Sequence, residues 1–476
     1  MAIVTSKFRT AAASSFAARF GTDSMYLVLG RPQPWDNALS TNFASQANGV
    51  VSDLNVPNPT DNYLNEHAMW RDAMAAVKLT AANAKIATNR YNWQTGTRYD
   101  MYRHDISSSR PSSNGNFSLD DTNMIVYVQQ TGNVYKCLFN NSGYTYATGT
   151  VSTVQPTTMS ADPQVTADGY MWKYLYTITA SDADFVTENY IPVPTTSSVG
   201  SVNGIDVIVV DSGGVGFVSQ PTVTIYGDGT NASAIAVTSA GTITKISITN
   251  PGVNYTWAKV LVSGGNPSSP CSATAIIAPA GGHGSNLQSE CFAHNVMISG
   301  TVSGYQSSDI PVNQDFRTVA LVKNPDVYVS SVVASKGTTF TAATGRVQKT
   351  MVMTSTATTS PAVDLTISAT SGAQGIFTYQ SSGTVNLEYI QPIASDTSIL
   401  SAAEVARINA TTKNLWQFSS SDTITASGGY SKAVASVTAL LPEIQPYSGE
   451  MLYLDYRQPV TRSSTQNEKI NIVINF

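Results

Sequence analysis

The sequence predicts a mainly β chain with a few helices, on three observations. From about residue 120 onward, apolar and aromatic residues recur with a period of two, the spacing of strands with one face buried. Residues 201–280 carry an internal repeat of strand, glycine turn and strand. Ser and Thr supply close to a quarter of the 476 residues, while charged residues are only 12%. The solvent face is therefore polar but largely uncharged, and a Glu-, Lys- and Leu-rich helical rod is excluded.

The first hundred residues hold the helical signals. In 6–20, Phe8, Ala12, Phe16 and Phe20 fall at helical spacing, and Gly21 stands where a C-terminal cap belongs. Residues 25–29 read as a short buried strand. Gly30-Arg31-Pro32-Gln33-Pro34-Trp35 is then a loop, because two prolines this close cannot continue a ladder. A second helix is expected after Asp61 as N-cap, with Trp70, Met74 and Val77 on one face. Further on, 124–128 and 134–139 flank Gln130-Thr131-Gly132-Asn133 as a hairpin. Residues 169–179 form an aromatic-rich strand, and Tyr190-Ile191-Pro192-Val193-Pro194 is extended.

In the repeat, Ile205-x-x-Ile208-x-Val210 and Gly214-Val215-x-Phe217 are matched 38 residues later by Ile243-x-x-Ile246-x-Ile248 and Gly252-Val253-x-Tyr255. Second strands at 223–225 and 260–262 end at Gly227 and Gly264. Two copies make a small all-β module and fall short of a solenoid. In 331–440, Ser, Thr, Ala and Gly surround β-branched runs such as 347–353 and 363–367. Short antiparallel strands are expected there, with one helical turn at 402–408. Val and Ile recur at strand spacing, which argues against a disordered linker. Apolar strands at 450–454 and 469–476 close the chain.

Composition excludes several functions. A net charge of −5 gives no electrostatic reason to bind nucleic acid or an anionic membrane. Three cysteines, Cys137, Cys271 and Cys291, are too few for a disulfide scaffold and suit a reducing compartment. No apolar run approaches a membrane span, and residues 1–20 lack the apolar core of a signal peptide. Synthesis in the cytosol is expected. Neither a phosphate-binding glycine-lysine loop nor H-E-x-x-H, G-x-S-x-G or C-x-x-C is present, and the chain has four His. Asn65-Glu66-His67 reads as surface or cap residues of the second helix. Asp120-Asp121 and the Asp182, Asp184 pair could serve as glycosidase acids, but turn formation explains them more simply. The 23 Tyr are spread along the chain, which suits packing better than sugar binding. Cys271, His283, Cys291 and His294 have the ligand types of a zinc site, at a C-x11-H-x7-C-x2-H spacing that no common structural zinc motif uses. An apolar Cys pair with a packed or hydrogen-bonded imidazole in the turn Gly281-Gly282-His283-Gly284 is the competing reading, and the residues leave the metal question open.

Eight fragments in order carry a family resemblance. They are the opening Ile3-Val4-Thr5-Ser6-Lys7-Phe8-Arg9-Thr10, then Gly30-Arg31-x-x-Pro34-Trp35, and Trp93 with Thr97-Arg98-Tyr99. Val134-Tyr135-Lys136-Cys137-Leu138 follows, then Asp168-Gly169-Tyr170-Met171-Trp172-Lys173-Tyr174-Leu175 with Asn189-Tyr190-Ile191. Phe316-Arg317 with Asn324-Pro325, Ser448-Gly449-Glu450-Met451-x-Tyr453, and Glu468-x-Ile470-Asn471-Ile472 complete the set. Together they resemble the baseplate wedge proteins of T-even-type contractile-tailed phages, the dimeric wedge subunit specified by gene eight. They cover about 1–195, 281–330 and 445–476; Trp93 to Thr97 is one residue longer than the family spacing.

The resemblance implies a β-sandwich body with helix-bearing loops, a homodimer bound to other baseplate wedge proteins, and no enzymatic activity. It also implies a place in the virion tail baseplate, with synthesis and assembly in the host cytoplasm. The expected organisation is a body formed by 1–200, 281–330 and 441–476. It is interrupted by the β-repeat module 201–280 and the Ser/Thr-rich β insertion 331–440. The residues single out no catalytic or cofactor-binding site and mark no interface. The alternative is a tail fibre or spike module binding host-surface glycan, a role the insertions alone could also fill.

Overall fold

The computed structural model describes residues 3–31, 34–35, 51–142, 149–197, 203–302, 315–329, 332–333, 344–347, 350–355, 365–370, 374–381, 385–392, 418–440, 443–460 and 467–476. The chain is mainly β, and its registered strand pairs are antiparallel. It divides into two compact units. One comprises Met1–Ala17, Ala84–Ile298 and Ile472–Phe476; the other comprises Ala18–Asn83 and Ser299–Asn471.

In the first unit, a four-stranded sheet runs Ile125–Val128, Asn133–Asn140, Tyr170–Thr177, Gln164–Val165. The expected hairpin is present, with Val128 paired to Asn133 and Ile125 to Lys136. Gly132 takes φ +74° in its turn, where a side chain would be strained. Tyr99, Tyr135, Tyr170 and Trp172 fill the core below this sheet. Tyr170 stacks on Trp172 at 5.3 Å, and Tyr99 meets Trp172 edge-on at 5.6 Å. A second sheet contains Ala84–Asn89, flanked by Tyr190–Pro192 and Asn295–Val302. The helix Ser6–Ala18 continues as a 3-10 turn, Arg19–Gly21. Gly21 supplies no left-handed cap; Thr22 ends the turn in a right-handed conformation.

Residues 205–277 of the same unit form two sheets over one apolar cluster. One sheet orders Ser233–Ser239, Thr242–Asn250, Ile205–Ser212, Ser272–Ile277; the other pairs Thr222–Gly227 with Ala258–Ser263. The sequence repeat is a pseudo-two-fold. Ile208 pairs with Ile246, its own counterpart 38 residues on. Ile205 N–H donates to the Pro251 carbonyl at 2.8 Å, and the mirrored bond runs from Ile243 N–H to the Gly213 carbonyl at 3.0 Å. Gly214 and Gly252, at φ +63° and +67°, make equivalent turns. Each copy supplies three strands, one more than the sequence pattern suggested.

The second unit holds a five-stranded sheet, ordered Thr344–Arg346, Ala73–Leu79, Met25–Gly30, Phe316–Lys323, Glu450–Val460. Two expectations fail here. The helix Tyr63–Asp72 is capped by Asn62, whose side chain accepts from Asn65 N–H, rather than by Asp61. The helix stops at Asp72, and Met74 and Val77 lie in the strand Ala73–Leu79. That strand lies inside the sheet, paired on both sides, and five of its seven residues are buried, so the period-two signal vanishes. The strands Thr350–Ser355, Val385–Pro392, Gln374–Ser381, Thr366–Ala369, Thr423–Ala426 and Tyr430–Leu440 close a barrel around Ile367, Phe377, Phe418, Ile424 and Val434. The helical turn expected at 402–408 lies outside the described residues.

Candidate functional site

The densest polar chemistry of the first unit is a buried charge cluster that unites distant parts of the sequence. Lys136 sits mid-strand in Asn133–Asn140, and its ammonium donates to Glu290 Oε1 at 2.9 Å. Both side chains are at most 3% exposed. Glu290 ends the short helix Leu287–Glu290, whose cap Asn286 accepts from Ser289 N–H at 3.0 Å. Its second oxygen accepts from Gly284 N–H at 2.7 Å. Gly284 takes φ +83°, a conformation open to glycine and strained for other residues. This loop holds His283 between two carboxylates: Nδ1 meets Glu290, and Nε2 meets Asp206 Oδ2 at 2.8 Å. The Lys136 ammonium also lies 3.7 Å over the Tyr102 ring, which meets His283 edge-on at 5.8 Å.

Electrostatics follow from this arrangement. Burial opposes charge on His283, but Asp206 and Glu290 outweigh it, and the imidazole pKa is raised. Burial likewise opposes ionisation of Glu290, but Lys136, His283 and the Gly284 amide hold its pKa far below the carboxylate range. Lys173, paired across the ladder from Lys136 and also buried, has its pKa lowered by burial. Its ammonium donates to the Ala161 carbonyl. Burial, with Asp206 and Glu290 nearby, pushes the Tyr102 phenol up. Both imidazole nitrogens are committed, so the cluster orders and joins strands, helix and loop. A cleft of about 200 Å³ lies beside it, lined by Asp206, Phe139, Val165, Met171, Val207 and Lys245 among others.

The four residues weighed for zinc do not converge. His283 is held by carboxylates, while Cys291 lies in the aromatic core with its thiol pKa pushed up by burial. Cys271 packs against the separate cluster of residues 205–277, and His294 offers its carbonyl to Phe476 N–H. Among the described residues, no three His, Cys, Asp or Glu side chains are grouped to hold a metal ion. The carboxylate pairs lie in 3-10 turns, Leu119–Asp121 and Ala180–Phe185; Asp182 meets Lys85 at 2.9 Å. Of Asn65-Glu66-His67, Asn65 is buried and accepts from the Tyr456 hydroxyl, and the His67 ring meets Tyr447 at 4.6 Å, tilted by 33°.

In the second unit, Gly30-Arg31, Pro34-Trp35 and Phe316-Arg317 come together in one buried knot. Arg31 binds Asp72 at 2.8 Å, donates to the Pro34 carbonyl at 3.1 Å, and lies 4.2 Å over Trp35. The Trp35 indole donates to the Arg457 carbonyl at 2.9 Å, and its backbone N–H donates to Asp53 at 3.0 Å. Arg317 grips Asp53 with two bonds of 2.9 Å. Burial works against the Asp53 charge, but Arg317 and the Trp35 N–H lower its pKa. Arg31 and Arg317 are therefore structural, through paired hydrogen bonds that lysine could not reproduce.

Comparison with known proteins fits this picture. No family model matches the chain. The chain is similar to the baseplate wedge protein gp8 of Enterobacteria phage T4, with 27% identity over 217 residues. The similarity covers 40% of this chain and spans 60% of that relative.

Proposed function

We propose that this chain is a structural component of a phage contractile-tail baseplate wedge. The observation that carries the reading is its similarity to the T4 wedge protein. The geometry is in keeping with it. The Gly30-Arg31 and Phe316-Arg317 fragments build one unit's buried knot, and the Lys136 and Trp172 fragments build the other unit's core. These residues secure a framework rather than line a reaction centre.

The chain acts by assembly and not by catalysis. It forms a homodimer and binds other wedge proteins through uncharged polar surfaces with aromatic anchors, a composition suited to wet interfaces. The module 201–280 and the segment 331–440 are insertions into a β-sandwich body, and the protein resides in the tail baseplate after assembly in the host cytoplasm. Light scattering after size exclusion tests the self-association. The expected mass is about 101 kDa, twice the 50.5 kDa of one chain. A stable trimer would instead favour a fibre or spike.

A further inference from the structure

We infer that the repeat module of residues 205–277 carries a carbohydrate-binding platform made by Tyr226, Asp228, Trp257 and Lys259. In the two-stranded sheet, Val223, Ile225, Val260 and Val262 point into the module's core, and the alternate residues point outward. Tyr226 faces Lys259 across the ladder. One residue beyond the last registered pair, Asp228 accepts from Thr256 N–H at 2.9 Å and Trp257 N–H at 3.1 Å. These bonds, with one from the Thr256 hydroxyl, fix the Trp257 backbone. Tyr226 is 52% exposed and Trp257 54% exposed. The end of the sheet thus presents two rings, one carboxylate and one ammonium together.

The duplication supplies an internal control. Under the pseudo-two-fold, the pair Tyr226 and Lys259 maps onto Thr222 and Ser263, which are likewise paired. The second strands, 223–225 and 260–262, are offset by 37 residues rather than 38, which places Gln220 at the counterpart of Trp257 and Gly265 at that of Asp228. At the far end the backbone turns differently, with Gly264 and Gly265 at φ +79° and +73°, and the matching strand positions 220, 222 and 263 carry Gln, Thr and Ser in place of aromatic or charged side chains. Packing of the module therefore does not demand them, and exposing two large rings to water has a cost that the other end avoids.

The chemistry selects the ligand class. Aromatic faces accept the C–H faces of a pyranose ring. The Asp228 carboxylate, held ionised by its donors with its pKa down to about 2, takes hydroxyl hydrogens, and Lys259 donates to ring or hydroxyl oxygens. Hydrogen-bonding donors and acceptors alternate with apolar faces on a sugar in the same way, so platform and ligand are complementary in hydrogen bonding and in apolar surface. A site fixed before binding loses little ordering entropy. This inference stands independently of the wedge assignment.

The test uses the full chain on a printed array of mono- and oligosaccharides, then a fluorescence titration with the strongest hit. Saturable binding is expected, weakened about tenfold or more in Trp257→Ala and in Tyr226→Ala. Asp228→Asn, which keeps the ring positions, should also weaken it, and Thr222→Ala at the opposite end should leave it unchanged. Circular dichroism melting checks that each variant folds. Absence of any hit, or equal binding by a folded Tyr226→Ala/Trp257→Ala double variant, overturns the inference. So does loss of self-association, rather than of sugar binding, in that variant.

Discussion

Replacing Glu290 by Gln probes the buried charge cluster most sharply. Breaking a buried ion pair by removing one partner costs about 3–5 kcal/mol, because the remaining charge is stranded. Here the stranded groups would be the Lys136 ammonium, 1% exposed, and His283, 2% exposed, which keeps Asp206. A Gln oxygen can still accept from Lys136, recovering about 1 kcal/mol. The Gly284 N–H bond at 2.7 Å would be lost if the amide NH2 took the second oxygen's place. The expected net loss is about 2–4 kcal/mol. Hydrogen exchange of peptides from Asn133–Asn140 and Tyr170–Thr177 in graded urea reads this unit's opening free energy separately from the other unit's. Adding Lys136→Met should restore part of the loss, since the stranded charge is then gone. A loss below about 1 kcal/mol, or strictly additive losses in the double variant, would mean that Glu290 and Lys136 are not energetically coupled as a buried pair.

Three further outcomes are expected. The His283 pKa is raised from 6.5, so its contribution is complete below that value and is lost as pH rises through the folded-state pKa. The Glu290 pKa is lowered from 4.5, so its contribution is present above that value and is lost only in strong acid. Opening free energies of the first unit should therefore be highest between about pH 4.5 and 6.5 and fall on the alkaline side, and His283→Gln should flatten that fall. Gly30→Ala should destabilise the second unit by about 1–3 kcal/mol in urea melts. Its Cβ would lie 2.6 Å from the Asp72 carbonyl oxygen and 2.9 Å from Ala73 Cα. In native alkylation Cys271, half-buried, should react before Cys137 and Cys291, which lie in the core with thiol pKa values raised by burial.

Legibility in the sequence tracked the range of the interactions. The hairpin at 125–140 was readable because alternation and a glycine turn are local signals. The duplication at 205–277 was readable because its equivalent glycines and isoleucines keep a fixed offset. The strand Ala73–Leu79 reads as helix because five of its seven residues are buried, which hides the alternation, and Trp70, Met74 and Val77 then fit helical spacing equally well. The charge cluster was not legible as a set. Lys136 and Glu290 are 154 residues apart, and Asp206 and His283 are 77 apart. Two lysines inside aromatic strands, Lys136 and Lys173, were the available signal, since a buried ammonium demands a distant acceptor. For His283, the glycine-rich loop admits a packed or a hydrogen-bonded imidazole, and the structure shows the second, with both carboxylate partners hidden from the sequence.

The proposed structural place of this chain in the baseplate wedge predicts where it sits in the virion. Antibodies against the purified protein, imaged by immunogold electron microscopy on isolated tails, should label the baseplate at the tail's distal end. They should leave sheath, tube and extended fibres bare. Labelling confined to the fibres, or particles that carry none of the protein, would rule out a wedge position.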